Sequence, residues 1–586
     1  MQKRLTEQGL RFLEEGQFDK ASQILSLLIK SFPDNADAHH MLGIIELERG
    51  AFEAAYILVN TAIDIAQDKP TFYNTLGNIE LHRKNIAQAE KAFLTAIELA
   101  PEKIEYKYNL AHFYLTQNQY EKAIDCYYYI LHTNPTHYLS IRGITVCYLF
   151  SGELEIALEH ANEWVNEYSN YDEAYYYQGL CLYGLNDVPG ALAAYDKGLE
   201  LAPTNHEIIT AIGACYRTLG NFSIAETYLH KSLTLESNNP AAIYHLACIK
   251  LDNGDISSAR DLFLNAIGLD DLYADPVYGL GYTELAKNNP ELALNYFEQA
   301  NKIDPSNIKK TLVATTLLRL HRFNEGWNAY AKCITPPQNI KHLLNWNGEK
   351  LNSDQVLLVW TSSKEDDLRQ QILFSSMLTD LQKSVQHAII LCDKRLAAIL
   401  QNSFPQFKII SGLSGEKVDQ QQPLSTLGRF CRLSTADFKS RATSYFVANP
   451  ERVKYYTSKY KQLFHGKKLI GICWKSFTPA NAIDHIKSSH LSSWQPLLKK
   501  AGYQFISLQT GDMQAEIASV NHSTGNNIYI DSEVLIDGKA DLAEQAAQMA
   551  ALDLIISLDN YIAHLAGALG LKTYTLLPLQ AEWYWF

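Results

Sequence analysis

The chain has no CxxC pair, no unbroken apolar run long enough to cross a bilayer, and no excess of basic charge. Its nine cysteines stand singly, which removes the zinc-ribbon and thioredoxin spacings. Cys147, Cys181 and Cys215 recur at one interval and read as reduced core thiols of a cytoplasmic protein. Cys473, His485 and His490 read as scattered structural residues, so no metal is expected. The most apolar long stretch, residues 550–571, is interrupted by Asp553, Asp559, Asn560 and His564. The opening MQKRLTEQGLRFLEEGQF holds no signal-peptide core, so neither a membrane span nor a leader is expected. Lysine and arginine number 51 against 64 aspartates and glutamates, a formal charge of −13. That balance argues against nucleic-acid or anionic-membrane binding, and a phosphate-bearing ligand would need local donors. With 586 residues, 47% of them hydrophobic, the chain is folded and too long for one core.

What the chain does have is periodicity. Ala21, Ala55, Ala89, Ala123, Ala157, Ala191, Ala225, Ala259 and Ala293 are spaced by 34 residues without a break. Glycine stands twelve before the alanine at Gly9, Gly43, Gly77, Gly179, Gly213 and Gly281, with Ala111 and Ala247 as small substitutes. Four after it come Phe93, Tyr127, Tyr195, Phe263 and Phe297, and twelve after it Pro33, Pro101, Pro135, Pro203 and Pro305. Small residues mark a close helix crossing, the aromatic fills the gap beside it, and proline fixes the turn into the next unit. The pattern resembles the tetratricopeptide family over roughly residues 2–330. That resemblance implies stacked helix pairs, a superhelix and a groove for a protein or peptide partner. Tyr108, Tyr176, Tyr244 and Tyr278 share one position of the first helix and are candidates to line the groove, or equally to pad the packing between repeats. A degenerate tenth unit follows, with Trp327 in place of the alanine.

After Ile334–Asn339, ITPPQN, the period changes. VLLVW, AIILC, KLIGICW, QFISLQ, LDLIISLD and TYTLLP are short apolar runs separated by amphipathic stretches. They read as parallel strands buried on both faces. Ligands of such sheets sit at the strands' carboxyl ends. There Asp559 and Asn560 precede a helix whose free N–H groups suit an anion. The segment containing Asp559, Asn560, His564, Leu565, Ala566, Ala568, Leu569 and Gly570 resembles the nucleotide-sugar signature of heptosyltransferases of the GT-B class. Gly326, Trp327 and Tyr330, the Trp346–Glu349 entry, Cys392–Leu396, Gly471–Trp474 and Leu508–Gln509 widen the likeness. It extends to bacterial proteins joining tetratricopeptide repeats to a glycosyltransferase-like domain, and more loosely to O-linked N-acetylglucosamine transferases.

The expected fold is therefore an all-α tetratricopeptide superhelix, residues 1–333, then a linker, 334–345. A GT-B-like α/β part follows, made of two Rossmann-like halves, 346–445 and 446–586, and truncated. The resemblance implies a metal-independent glycosyltransferase with a sugar nucleotide as co-substrate and no other cofactor. Lys475, Gln509, Asp559, Asn560 and His564 would contact the nucleotide sugar, and Asp366 or Asp367 would be the base. Against this, no glycine lies between Thr361 and Met377, so the backbone there cannot closely approach a phosphate. The alternative is a non-catalytic repeat scaffold with a degenerate transferase-like domain.

Overall fold

The structure is a computed structural model and describes all residues except 305–306, 362–367, 440–443, 477–487, 512, 526–527, 537–538, 579–580 and 586. The candidate bases Asp366 and Asp367 lie outside the described residues. The chain forms two compact units, Met1–Ile208 and Ile209–Phe586.

Twenty helices, from Gln2–Glu14 to Phe323–Ala331, make ten antiparallel pairs, with the degenerate tenth formed by Asn307–Arg319 and Phe323–Ala331. Every alanine of the periodic series is fully buried. The crossing obeys one steric rule: the large side chain four residues after the periodic alanine lies over a glycine. A Cβ placed on Gly77, Gly179 or Gly281 would come within 2.7, 2.3 and 2.3 Å of the rings of Phe93, Tyr195 and Phe297. Where the glycine is replaced by Ala111 or Ala247, the ring finds another in the next pair. Cβ atoms on Gly143 and Gly279 would meet Tyr127 and Phe263 at 2.4 Å. In the fifth pair the equivalent positions hold neither a glycine nor a ring but Thr145 and Ala161, both buried.

Beyond the repeats, a five-stranded parallel sheet has the order β1-β5-β2-β3-β4. Its strands are β1 (Leu344–Asn345), β2 (Leu357–Trp360), β3 (Ala388–Leu391), β4 (Lys408–Ile410) and β5 (Gln420–Pro423). A second, four-stranded parallel sheet contains β6 (Lys468–Cys473) and β7 (Tyr503–Ser507). A two-stranded ribbon, β8 (Leu535–Ile536) with β9 (Lys539–Ala540), precedes its last strands, β10 (Leu554–Leu558) and β11 (Thr573–Leu576). Its order is β11-β10-β6-β7, and Tyr529 adds a parallel bridge to Ile506 on the outer side of β7. Both sheets reverse direction beside their central strand, the doubly wound pattern, at β2/β5 and at β6/β10.

Three expectations need correction. The linker is not merely a linker, because Leu344 and Asn345 pair with Gln420 and Gln421. TYTLLP is a parallel strand but is not buried on both faces: Tyr574 and Leu576 of β11 are 58% and 50% exposed at the sheet edge. The QQQP segment, too polar to read as a strand, lies inside the first sheet, where Gln421 and Gln422 are 1% and 2% exposed. The Gln421 carboxamide accepts from the Trp360 indole and donates to Asn345, and Gln422 donates to Thr426. Buried amides are tolerated once their hydrogen bonds are made.

One hydrophobic core runs from the last repeat (Leu318, Phe323, Trp327) through the first sheet (Leu357, Ile390) to the second (Ile555, Leu565). Trp327 is its hinge pin. Its ring leaves no room for a Cβ at Gly428, which would lie 2.3 Å away, and its indole N–H donates to the Arg432 carbonyl at 2.8 Å. Helix Leu368–Ser375 packs on helix Tyr561–Ala568. The Tyr445 and Phe446 amides both donate to the Ala568 carbonyl, at 2.9 Å. The two halves are thus joined directly.

The glycine rule predicts an asymmetry between two glycines of neighbouring helices. Gly279→Ala should destabilise by about 1–3 kcal/mol through overpacking, with Phe263→Leu in the same chain recovering most of the loss. Gly268→Ala, where a Cβ would meet nothing within 4 Å, should be neutral or stabilising. Urea unfolding followed by circular dichroism measures all three; equal effects at the two glycines would refute the rule.

Candidate functional site

Two places bring candidate residues together. The first is the helix-A face of the repeats. In the first unit Tyr108 leans on Tyr127 at 5.8 Å and on His137 at 5.7 Å, and Tyr176 on Tyr195 at 6.2 Å (ring centroids). In the second unit Tyr244 leans on Phe263 at 5.9 Å and Tyr278 on Phe297 at 5.4 Å. Each tyrosine is half-buried, propped on the same ring that the glycine rule seats. Burial raises the pKa of Tyr176, Tyr244 and Tyr278, so their hydroxyls remain protonated donors.

Between these rings the sequence reading missed polar rungs that cross from one repeat to the next. Asn109 donates to Asn74 at 2.8 Å, His40 Nε2 meets Thr75 Oγ1 at 2.9 Å, and Arg142 pairs with Glu173 at 2.9 Å. The signal was there at spacings of 35 and 31 residues, just off the repeat length, because adjacent rather than equivalent positions face each other across neighbouring helices.

The second place is the carboxyl end of β6, β7 and β10. Lys475, Gln509 and Asn560 meet there, with Asp559 and His564 alongside. The polar groups of Lys475, Gln509 and Asn560 face other protein groups. Gln509 Oε1 accepts from the Lys475 and Trp474 amides at 2.9 and 3.2 Å, and its Nε2 donates to the Lys475 carbonyl at 3.1 Å. The Lys475 ammonium pairs with Glu516 at 2.8 Å. Asn560 caps its own helix, accepting from Ile562 N and Ala563 N at 3.0 and 3.4 Å, while its Nδ2 donates to Cys473 Sγ at 3.1 Å. The amides expected to receive an anion therefore bind the Asn560 side chain.

Asp559 and His564 are buried, with His564 Nε2 3.6 Å from Asp559 Oδ1 and Arg369 of the first half 3.9 Å from Asp559 Oδ2. Tyr584 and Trp585 lie against the His564 ring at 5.0 and 5.3 Å. Burial pushes the Cys473 thiol up to about 12, which makes it inert as a nucleophile or ligand. Among the described residues no group of three or more His, Cys, Asp or Glu side chains is placed to hold a metal; His485 lies outside them. All nine cysteines are free thiols.

The tetratricopeptide-repeat family matches residues 12–79, 74–137, 172–205 and 244–308. These segments are tetratricopeptide repeats. Similar along a longer stretch is Protein FlbA of Caulobacter vibrioides, 25% identical over 419 residues, 67% of this chain and 63% of that protein. A BBSome complex member BBS4 homolog of Drosophila melanogaster is 30% identical over 27% of this chain and 33% of its own length. The chain thus spans less than two thirds of either relative. Among solved structures, a tetratricopeptide repeat protein from Parabacteroides merdae aligns over 42% of this chain and 98% of its own, at 16% identity and a TM-score of 0.37. YrrB, described as a tetratricopeptide protein with an unusual peptide-binding site, covers 32% of this chain and 96% of its own, at 17% identity and a TM-score of 0.27. Among the described residues no helix is long and apolar enough to cross a membrane.

The strand-end cluster has a definite acid response. Burial tends to raise the Glu516 pKa, but hydrogen bonds from Lys475, the Leu491 amide and the Trp474 indole outweigh it, and the net shift is downward. A carboxylate depressed in the folded state contributes stability above its unfolded pKa of about 4.3 and loses it as pH falls through the folded value. Wild type should therefore lose more melting temperature than Glu516→Gln between pH 6 and pH 3. Parallel curves would remove this pair from the chain's acid sensitivity.

Proposed function

We propose that the protein is a protein-interaction scaffold whose tetratricopeptide repeats bind an extended protein or peptide segment on their helix-A faces. The supporting observation is the set of half-buried tyrosines, each held in place from below by a helix-B ring. A pre-positioned ring with a polar tip gives contact area at low entropy cost and lets the hydroxyl reach a backbone carbonyl. The polar rungs Asn74–Asn109 and Arg142–Glu173 add donors and acceptors suited to peptide backbone.

A second reading, nucleotide-sugar binding at the carboxyl ends of β6, β7 and β10, draws on the meeting of Lys475, Gln509, Asn560, Asp559 and His564. The scaffold reading is preferred because those groups already serve one another: the asparagine side chain takes the helix-tip amides, glutamate takes the lysine, and the Gln509 amide holds the loop. In the scaffold reading this α/β part stabilises the carboxyl-terminal repeats through the shared core.

Two measurements separate the readings. Peptides selected from a random library on the intact protein should lose at least tenfold in affinity on Tyr108→Ala/Tyr176→Ala or on Tyr244→Ala/Tyr278→Ala, the loss of about 1.4 kcal/mol or more expected for aromatic contacts. Binding indifferent to both pairs would overturn the scaffold reading as placed here. Millimolar UDP-, GDP- or ADP-sugars should leave the melting temperature unchanged. A rise abolished by Lys475→Ala would favour the nucleotide-sugar reading instead.

A further inference from the structure

Ala581–Trp585 lies against the last repeat. Arg319, on helix Asn307–Arg319, donates from Nη1 to the Ala581 carbonyl at 3.1 Å, across 262 residues of sequence. Most counterparts of Arg319 are leucines (Leu13, Leu47, Leu81, Leu115, Leu149, Leu251 and Leu285), with Tyr183 and a second arginine, Arg217, at the others; Arg319 is the one whose fork of donors meets this segment. Burial lowers the Arg319 pKa and the Glu582 charge partly offsets that, while the same carboxylate acts on Tyr282 of the preceding repeat. Glu582 thus follows directly on the carbonyl that Arg319 holds.

The aromatic residues that follow complete the contact. Trp583 stands edge-on to Trp327 at 5.5 Å, while Tyr584 and Trp585 rest on His564. The segment is a single turn, Trp583–Trp585 being a 3-10 helix closed by the Trp585 amide on the Glu582 carbonyl at 3.2 Å, and it is held by a backbone carbonyl on an arginine and an indole on an aromatic cap. The fit is incomplete. Glu582, Trp583, Tyr584 and Trp585 are only half-buried, and the Trp585 indole nitrogen is buried without a hydrogen-bond partner among the described residues. A segment that forfeits a hydrogen bond and keeps much of its surface in water is open to replacement by one that does neither.

We infer that Ala581–Trp585 is a built-in ligand of the surface formed by Arg319 and Trp327, and that this surface takes a partner segment of the same chemistry, a single-turn stretch with a carboxylate directly before a tryptophan. The inference rests on the scaffold reading and adds to it the class of partner and a self-occupied resting state. The partner must displace the built-in segment, so its apparent affinity is reduced by the fraction of chains in which the face is filled.

The test uses the full chain and a fluorescein-labelled peptide of sequence AEWYW. Its affinity, read by anisotropy, should rise at least tenfold on Glu582→Lys/Trp583→Ser, which weakens the built-in segment. Adding Arg319→Ala should cancel that gain, and the peptide AQWYW should bind more weakly than AEWYW. Because Trp583 also touches the shared core, hydrogen exchange on the unaltered chain provides an independent readout. Excess AEWYW should speed exchange of the Glu582–Trp585 amides and leave the core strands unchanged. Equal peptide affinity with and without the substitutions, a gain that survives Arg319→Ala, or exchange at 582–585 indifferent to peptide would each overturn the inference. Library-selected peptides that still depend on the helix-A tyrosines would show that the scaffold reading stands without it.

Discussion

A ring can lie across a helix only where the helix has no Cβ, and this constraint shapes the repeats from the inside outward. It seats Phe93, Tyr127, Tyr195, Phe263 and Phe297 over glycines, and those rings in turn support Tyr108, Tyr176, Tyr244 and Tyr278. These tyrosines are thus two contacts removed from a glycine in the helix crossing. The constraint belongs to the pair of residues and not to one position. When the glycine inside a helix pair becomes Ala111 or Ala247, the next pair supplies Gly143 or Gly279, and the interior stays close-packed. The repeat thereby tolerates drift in its sequence pattern while keeping its surface rings in register.

The last repeat uses the opposite solution. Where the other units place a small alanine at the crossing, it places Trp327, too large for a partner helix alone. The indole instead reaches Gly428 and the Arg432 carbonyl. Terminal units of solenoids usually finish with a polar face because nothing stacks on them; here the face remains apolar because Leu424–Cys431 and Trp583–Trp585 pack on it. The same logic covers the buried polar residues of that junction. Arg432 pairs with Asp380 at 3.2 Å with both side chains out of water, and Gln421 bridges Trp360 and Asn345. Such groups, once satisfied, hold a single arrangement of the pieces, because any slippage would leave them unpaired.

Much of this was legible in the sequence, and the failures have physical causes. The 34-residue period located every helix pair, since spacing of small residues is a direct steric signal. Apolar runs located β2, β3, β6, β7 and β10. β5 escaped because Gln420–Pro423 carries its hydrogen-bond partners in side chains contributed from elsewhere in the chain, which no local pattern reveals. β11 was found but its surroundings were misjudged, because apolarity records that a strand prefers burial and not whether a layer covers it. At the strand ends, the reading brought Lys475, Gln509, Asn560, Asp559 and His564 to one place. What it could not see was Glu516, whose single carboxylate engages Lys475, Trp474 and Leu491 from a helix 41 positions beyond Lys475.

The contrast between the two candidate places comes down to where unused capacity lies. A strand-end loop fixed by Gln509 and a helix tip capped by Asn560 have their donors turned inward, and admitting an anion there would break several buried hydrogen bonds at once. A half-buried tyrosine has the reverse economy: its inner face is already packed on a helix-B ring, and the part still exposed can be covered without unpacking the ring. Burial of such a ring is net gain, whereas insertion at the strand ends must first repay the bonds it disrupts. On the scaffold reading, binding therefore falls to the repeats. The segment Ala581–Trp585, resting on Arg319 and Trp327, marks the point where the α/β part acts on that surface instead of merely supporting it.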